Sequence, residues 1–172
     1  MTKLDSLGAW IIGRWLIIAN VGLLLYAGLP WLSPWLSVNG HPLLGALIFA
    51  LYRPLCHQRP ERSFCLCGRQ VAFCHRCAAV SAALALGSLG YRAVRSRLAP
   101  APLWAGWLLA APLLLDAGSH AINDALGLGW RGGGDAPWSV NFLLRMTTGA
   151  LFALAALVTI YPRLDRATRR CV

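Results

Sequence analysis

Charged side chains are scarce in this 172-residue chain, at 13%, against about a quarter in an ordinary soluble domain. With hydrophobic residues at 58%, that shortage excludes a water-soluble fold. An alternating strand pattern is also missing, which excludes a transmembrane β-barrel. No internal repeat is visible. No C-x-x-C-H sequence occurs, since the order is Cys74-His75-Arg76-Cys77, and covalent haem attachment is excluded. The apolar run after Lys3 lacks a small-x-small cleavage site and exceeds a signal peptide's apolar core, so it reads as an uncleaved first span.

What remains is lipid-soluble helix. A membrane crossing takes about 20 apolar residues, and four stretches qualify: about Ala9–Leu32, Ala72–Tyr91, Pro100–Ala121 and Ser139–Tyr161. Pro30, Pro34, Asn39-Gly40 and Pro42 are expected to break the chain after the first. A shorter piece, His41–Leu55, is either a tilted fifth span or a re-entrant helix, with His41 at the interface. The expected fold is therefore an all-α membrane protein: one integral domain over residues 1–172, four transmembrane helices plus that short helix, and a Cys/His loop. The span after Cys77 is rich in Ala, Ser and Gly. Small faces allow close helix approach in lipid, so it is expected to be the central helix.

The formal charge of +10 would suggest nucleic acid in a soluble protein. Here the arginines flank spans, so the partner read from them is the lipid bilayer. Arg92, Arg95 and Arg97 follow one span, and Arg163, Arg166, Arg169 and Arg170 follow the last, in a basic tail over 162–172. Positive charge stays on the cytoplasmic side. The reading is a multi-pass inner or plasma membrane protein with a cytoplasmic C-terminus. The Cys-rich loop 53–77 and the loop 122–138, made flexible by Gly132-Gly133-Gly134, then lie outside.

The chemistry concentrates in Cys56 to Cys77, which holds five of the six cysteines and two of the four histidines. Cys56, His57, Cys74 and Cys77 together suit zinc, which prefers four tetrahedral thiolate and imidazole ligands. The helix start after Cys74, with Arg69 and Arg76, favours the thiolate form. Structural disulfides compete with this reading, because outward-facing cysteines are usually oxidised. Cys65-x-Cys67 is open between a disulfide, a second metal and no role, and Cys171 reads as an idle thiol.

A second constellation lies in the apolar helices. Asp116 and His120 are four apart and share a face, as do Asn141 and Arg145. Asp116 and Arg145 fall at similar depth, about 7–9 Å in at ~1.5 Å per residue. An unpaired charge there costs at least ~2.5 kcal/mol, so they are expected to pair, with His120 and Asn141 adding hydrogen bonds. Arg62 and Arg76 are placed in the same pocket. The plain alternative is a clamp between two helices.

Cys56-His57-Gln58, Arg62-Ser63-Phe64, Gly68-x-Gln70, Cys74-x-Arg76-Cys77, Asp116, Ser139-x-Asn141 and Leu144-Arg145-x-x-Thr148-Gly149 resemble a family of predicted bacterial membrane proteins, domain of unknown function 2085. The resemblance covers about Pro54 to Gly149 and implies that Cys56, His57, Cys74 and Cys77 are the family's Cys/His set. Cys65, Cys67 and His75 then belong to this chain alone. His120 stands where the pattern has glutamine, and the loop Trp130–Trp138 is longer. The family brings no activity with it.

Three functions compete. The first is a zinc-holding membrane protein above an Asp/Arg pocket, structural with four protein ligands and open to catalysis with three; Asp116, His120 and Arg145 are then the catalytic candidates. The second is a quinone-linked thiol–disulfide oxidoreductase with a thiol partner protein, in which Cys74/Cys77 exchange with Cys65/Cys67. Against it, Ile122–Trp138 contains no cysteine. The third is a transport or binding subunit for a small polar ligand.

Overall fold

The computed structural model describes residues 3–130 and 136–170. Cys171 and the glycines Gly132 to Gly134 lie outside the described residues. Among those described, the chain is a helical bundle with one small β-hairpin. Four helices are long and apolar enough to cross a membrane: α2 (Trp15–Val38), α4 (His75–Val94), α5 (Leu103–Leu126) and α6 (Val140–Arg170).

The first crossing starts later than expected. Helix α1 (Lys3–Gly13) ends at Arg14, whose guanidinium stacks 4.8 Å from the Trp10 ring, and α2 begins at Trp15. Its far end also differs: α2 runs on through Pro30 and Pro34 to Val38. A proline in a membrane helix is tolerated where a neighbouring segment takes over the freed polar groups. Here α3 (Pro42–Leu51) folds back against that turn. Tyr26 O, the carbonyl that Pro30 leaves without its helical donor, accepts from the Tyr52 hydroxyl just past α3 at 2.9 Å, and Ser33 ties α2 to α3 by donating to Gly45 O at 2.9 Å. Gly45 is required by this approach, since a Cβ would lie 2.6 Å from Ser33 O. The chain reverses at Asn39-Gly40, with Gly40 at φ +84°.

Helix α3 has 10 residues. That is about 15 Å of rise, half of a ~30 Å hydrocarbon core, so α3 turns back without crossing.

The stretch expected to open the second crossing at Ala72 is instead a strand. β1 (Ser63–Leu66) and β2 (Arg69–Cys74) form an antiparallel hairpin, with Leu66 opposite Arg69. The two turn residues, Cys67 at φ +53° and Gly68 at φ +73°, have the double positive φ of a tight primed turn. Val71, Ala72 and Phe73 are completely buried, and Phe73 packs edge-on against Tyr26 of α2 and Tyr52. An apolar run of this length fits strand or helix equally by periodicity. The glycine turn decides it.

Helices α4 and α6 share the centre: α4 packs against α2 and α6, and α6 against α4 and α5. Small residues make the α4–α6 seam as expected, but they sit on both helices. At Gly149 an added Cβ would lie 3.0 Å from Ala79 Cβ and 3.1 Å from Arg76 O. Gly149→Val is therefore expected to destabilise by about 1–3 kcal/mol through overpacking, read as a lowered thermal midpoint in detergent. An unchanged midpoint would show that the seam can open at no cost.

Arg95 and Arg97 after α4 face Arg166 and Arg169 of α6 around Asp165, with Arg14 and Arg92 beside Arg95. Asp165 accepts from Arg169 at 3.0 Å. Trp15 meets Tyr161 edge-on at 5.6 Å, so α2 starts where α6 ends its crossing. The bundle thus has an arginine end and, opposite it, a cysteine end.

Candidate functional site

Three sulfurs converge at the cysteine end. Cys56 follows α3, its amide closing a turn onto Tyr52 O at 3.0 Å, and it is 3% exposed. Cys74 ends β2 and caps α4, and Cys77 lies in the first helical turn. The hairpin carries the chain from the first cysteine back to the other two. The three Sγ atoms all lie within 4.8 Å of one another. Zn–S bonds of about 2.3 Å in a tetrahedron place sulfurs roughly 3.8 Å apart, so only a small contraction separates this triad from a metal-binding one.

Surrounding amides favour ionised sulfur. The Cys74 amide donates to Cys56 Sγ at 3.2 Å. Hydrogen bonds from the Cys56 and Cys77 thiols pull Cys74 down to about 2, and the first-turn amides of Cys77 and Arg76 contribute further. Cys56 is pushed up, first by its bond to Cys74. One thiolate held by two thiols is what three close sulfurs adopt without a cation. A divalent ion would allow all three to ionise.

A polar strap fixes the loop that carries Cys56. Gln58 is buried with φ +48° and donates to Phe49 O at 2.8 Å and to Ala72 O at 3.0 Å. Gln70 of β2 returns the bond to Gln58 O at 2.6 Å and reaches Ser63 Oγ at 3.1 Å. Gln58, Ser63 and Gln70 had no role from sequence alone; only their pairing shows one. Gln58→Leu is expected to cost about 1–3 kcal/mol, because two buried carbonyls lose their donor. It should also loosen Cys56, read as faster alkylation of its thiol. An unchanged rate would mean that the strap does not position Cys56.

The remaining sequence candidates separate. His57 is not in the mutually close set of ligand atoms; it is exposed and lines a cavity beside Cys74. His75 is buried between the rings of Phe64 and Phe142, at 4.6 and 4.8 Å. Cys65 and Cys67 are exposed, free thiols outside the triad.

The cavity has a volume of about 590 Å³ and lies between the hairpin loop, α4, α5 and α6. His57, Arg59, Arg62, Arg76, His120 and Arg145 are on its wall with Cys74. Asp116, 5% exposed, is ion-paired to Arg76 at 2.5 Å and lies 3.9 Å from His120. Arg145, 2% exposed, donates to His120 Nε2 at 3.1 Å. A guanidinium has no acceptor, so this bond requires an unprotonated Nε2. The two residues expected to pair are thus joined in a chain, Arg76–Asp116–His120–Arg145, with Arg76 the cation on the carboxylate. Asn141 is buried on the first turn of α6 but is not on the cavity wall. Asp124, which the sequence reading missed, binds Arg59 at 2.8 Å and Arg62 at 3.2 Å. Its four-residue spacing from His120 on α5 was the available signal.

A family described as "Predicted membrane protein (DUF2085)" matches residues 56–159, from the first sulfur of the triad to the body of α6. The chain belongs to this family. The DUF2085 match contains all three clustered cysteines, the strap and the Asp116/Arg145 chain. An uncharacterized protein of Methanocaldococcus jannaschii, MJ1492, is 25% identical over 83 residues, covering 45% of this chain and 53% of that protein. The chain therefore spans about half the length of the curated relative it matches, and the similarity is not confined to bacteria. No solved structure matches the chain.

Proposed function

We propose that this multi-pass membrane protein holds one zinc-type metal ion between Cys56, Cys74 and Cys77, with His57 as the fourth ligand. The observation that carries this is the meeting of three sulfurs, from two chain segments 18 residues apart, within 4.8 Å. The donor set is soft and tetrahedral-compatible, as zinc prefers. His57 adjoins Cys56 and shares the cavity wall with Cys74. With four protein ligands the ion is structural, tying the end of α3 to the start of α4. The arginines gathered at the opposite end, Arg14, Arg92, Arg95, Arg97, Arg166 and Arg169, support a cysteine end outside the cytoplasm.

A thiol–disulfide oxidoreductase is the second reading, favoured by Cys74 as a low-pKa thiolate beside two thiols. The two part in one experiment. Protein purified in mild detergent without chelator is expected to carry about one metal per chain, with its triad thiols protected from alkylation until the metal is removed. Metal-free protein with a Cys74–Cys77 disulfide that cycles with reductant would overturn the metal site in favour of the redox one.

A further inference from the structure

The arginine end has a cavity of its own, of about 330 Å³, between the end of α4, the loop that follows it and α6. Pro162, Asp165, Arg166 and Arg169 share one face of α6 and make one wall. Arg95 and Arg97, just past α4, stand on the other. That loop is pinned in place. Pro162 leaves Val158 O without its helical donor, and the Ala101 amide donates to this carbonyl at 2.9 Å. Two features of the cavity are not satisfied from within. The Tyr91 hydroxyl is buried with no hydrogen-bond partner among the described residues, and Tyr91 is on the wall. Asp165 accepts from Arg169 at 3.0 Å and lies 3.9 Å from Arg95, whereas Arg97 and Arg166 are exposed and make no ion pair among the described residues.

A buried tyrosine hydroxyl ordinarily finds an acceptor. A group that supplies one here, and also meets two guanidiniums, must bring several anionic oxygens. Phosphate does so, since its oxygens accept from more than one arginine. The place decides its source. α4 ends and α6 finishes its crossing at this cavity, and Leu98, Ala99 and Pro162 give it an apolar side. Basic pockets between transmembrane helices at the bilayer surface take lipid headgroups. We propose that this cavity binds the phosphate of an anionic phospholipid, with Arg97 and Arg166 on its oxygens and the Tyr91 hydroxyl donating to one of them. Asp165 holds Arg95 and Arg169 in the walls. Binding there needs no metal at the cysteines.

Native mass spectrometry of the full chain in mild detergent reads the binding, in titrations with dihexanoyl phosphatidylglycerol, dihexanoyl phosphatidylcholine and inorganic phosphate. A single phosphatidylglycerol per chain is expected to bind saturably, and about tenfold or more tighter than phosphatidylcholine, whose phosphate carries its own cation. Arg97→Gln/Arg166→Gln is expected to weaken it about tenfold or more, with the lipid-free thermal midpoint unchanged. Tyr91→Phe is expected to weaken it about threefold or more, which loss of an idle hydroxyl would not do. Arg53→Gln, at the cysteine end, is expected to keep the parent affinity, which separates a site from attraction by net charge. No saturable binding, equal binding of the two lipids, full affinity in the double variant or in Tyr91→Phe, or an equal loss in Arg53→Gln overturns the proposal. Inorganic phosphate that displaces the lipid at equal concentration would also overturn it, in favour of a soluble phosphate.

Discussion

At the proposed metal site, Cys74→Ser is expected to lower metal content from about one ion per chain to a fraction that a chelator removes, and to lower the thermal midpoint sharply. Cys74 is the hinge of the triad: its sulfur is the favoured thiolate, its amide holds Cys56 Sγ, and it caps α4. Serine keeps the cap but is a far poorer ligand for a soft ion. Structural zinc contributes an apparent ~10–16 kcal/mol in small domains, more than a typical fold's net stability of about 5–15 kcal/mol, so loss of one ligand should be felt throughout the cysteine end. Cys65→Ser and Cys67→Ser, in the exposed hairpin, are expected to retain the full metal content. His57→Ala should lose its ion to a chelator that the parent protein withstands. Stoichiometric metal in Cys74→Ser that withstands a chelator as well as in the parent would refute the site, since Cys56, Cys77 and His57 leave one coordination position open.

Asp116→Ala is expected to destabilise by about 3–5 kcal/mol, because it leaves charge without its counter-ion in a buried setting. The carboxylate sits on α5, while its partner Arg76 sits on α4. Between them the helices rely on α6, which packs against each. The companion variant Arg76→Met/Asp116→Leu should recover most of that loss, as apolar replacement of a buried pair often does. Chemical unfolding in detergent measures both, and the double-mutant cycle gives the coupling. A near-neutral Asp116→Ala would show that the pair is neither clamp nor pocket wall.

Composition and apolar length were enough to read the crossings, because lipid accepts few alternatives to helix. The three clustered cysteines were legible as well, since soft ligands are rare and their grouping was visible. The hairpin was not. Val71, Ala72 and Phe73 look like the start of a span, and only Cys67-Gly68 with its two positive φ values turns the run into a strand. A further partner of Asp116 was not legible for a related reason. Depth counting along straight helices reached only Arg145, whereas Arg76, expected as a pocket residue, is brought to the carboxylate by the helix start that the strand defines. Pro30 and Pro34 were read as breakers by a rule that holds in water. With Tyr52 donating to Tyr26 O, the carbonyl that Pro30 frees, and α3 closing on α2 at Gly45, the helix persists.

The shortness of α3 has a topological result. A ten-residue helix that doubles back changes the parity of the thread: four passes instead of five, so α2 begins and α6 finishes at one pole, where Trp15 and Tyr161 touch. All five thiols described, Cys56, Cys65, Cys67, Cys74 and Cys77, therefore belong to the opposite pole. Every one of them meets the same compartment's redox couple and ion pool, and none has to be ferried past lipid for the cluster to form.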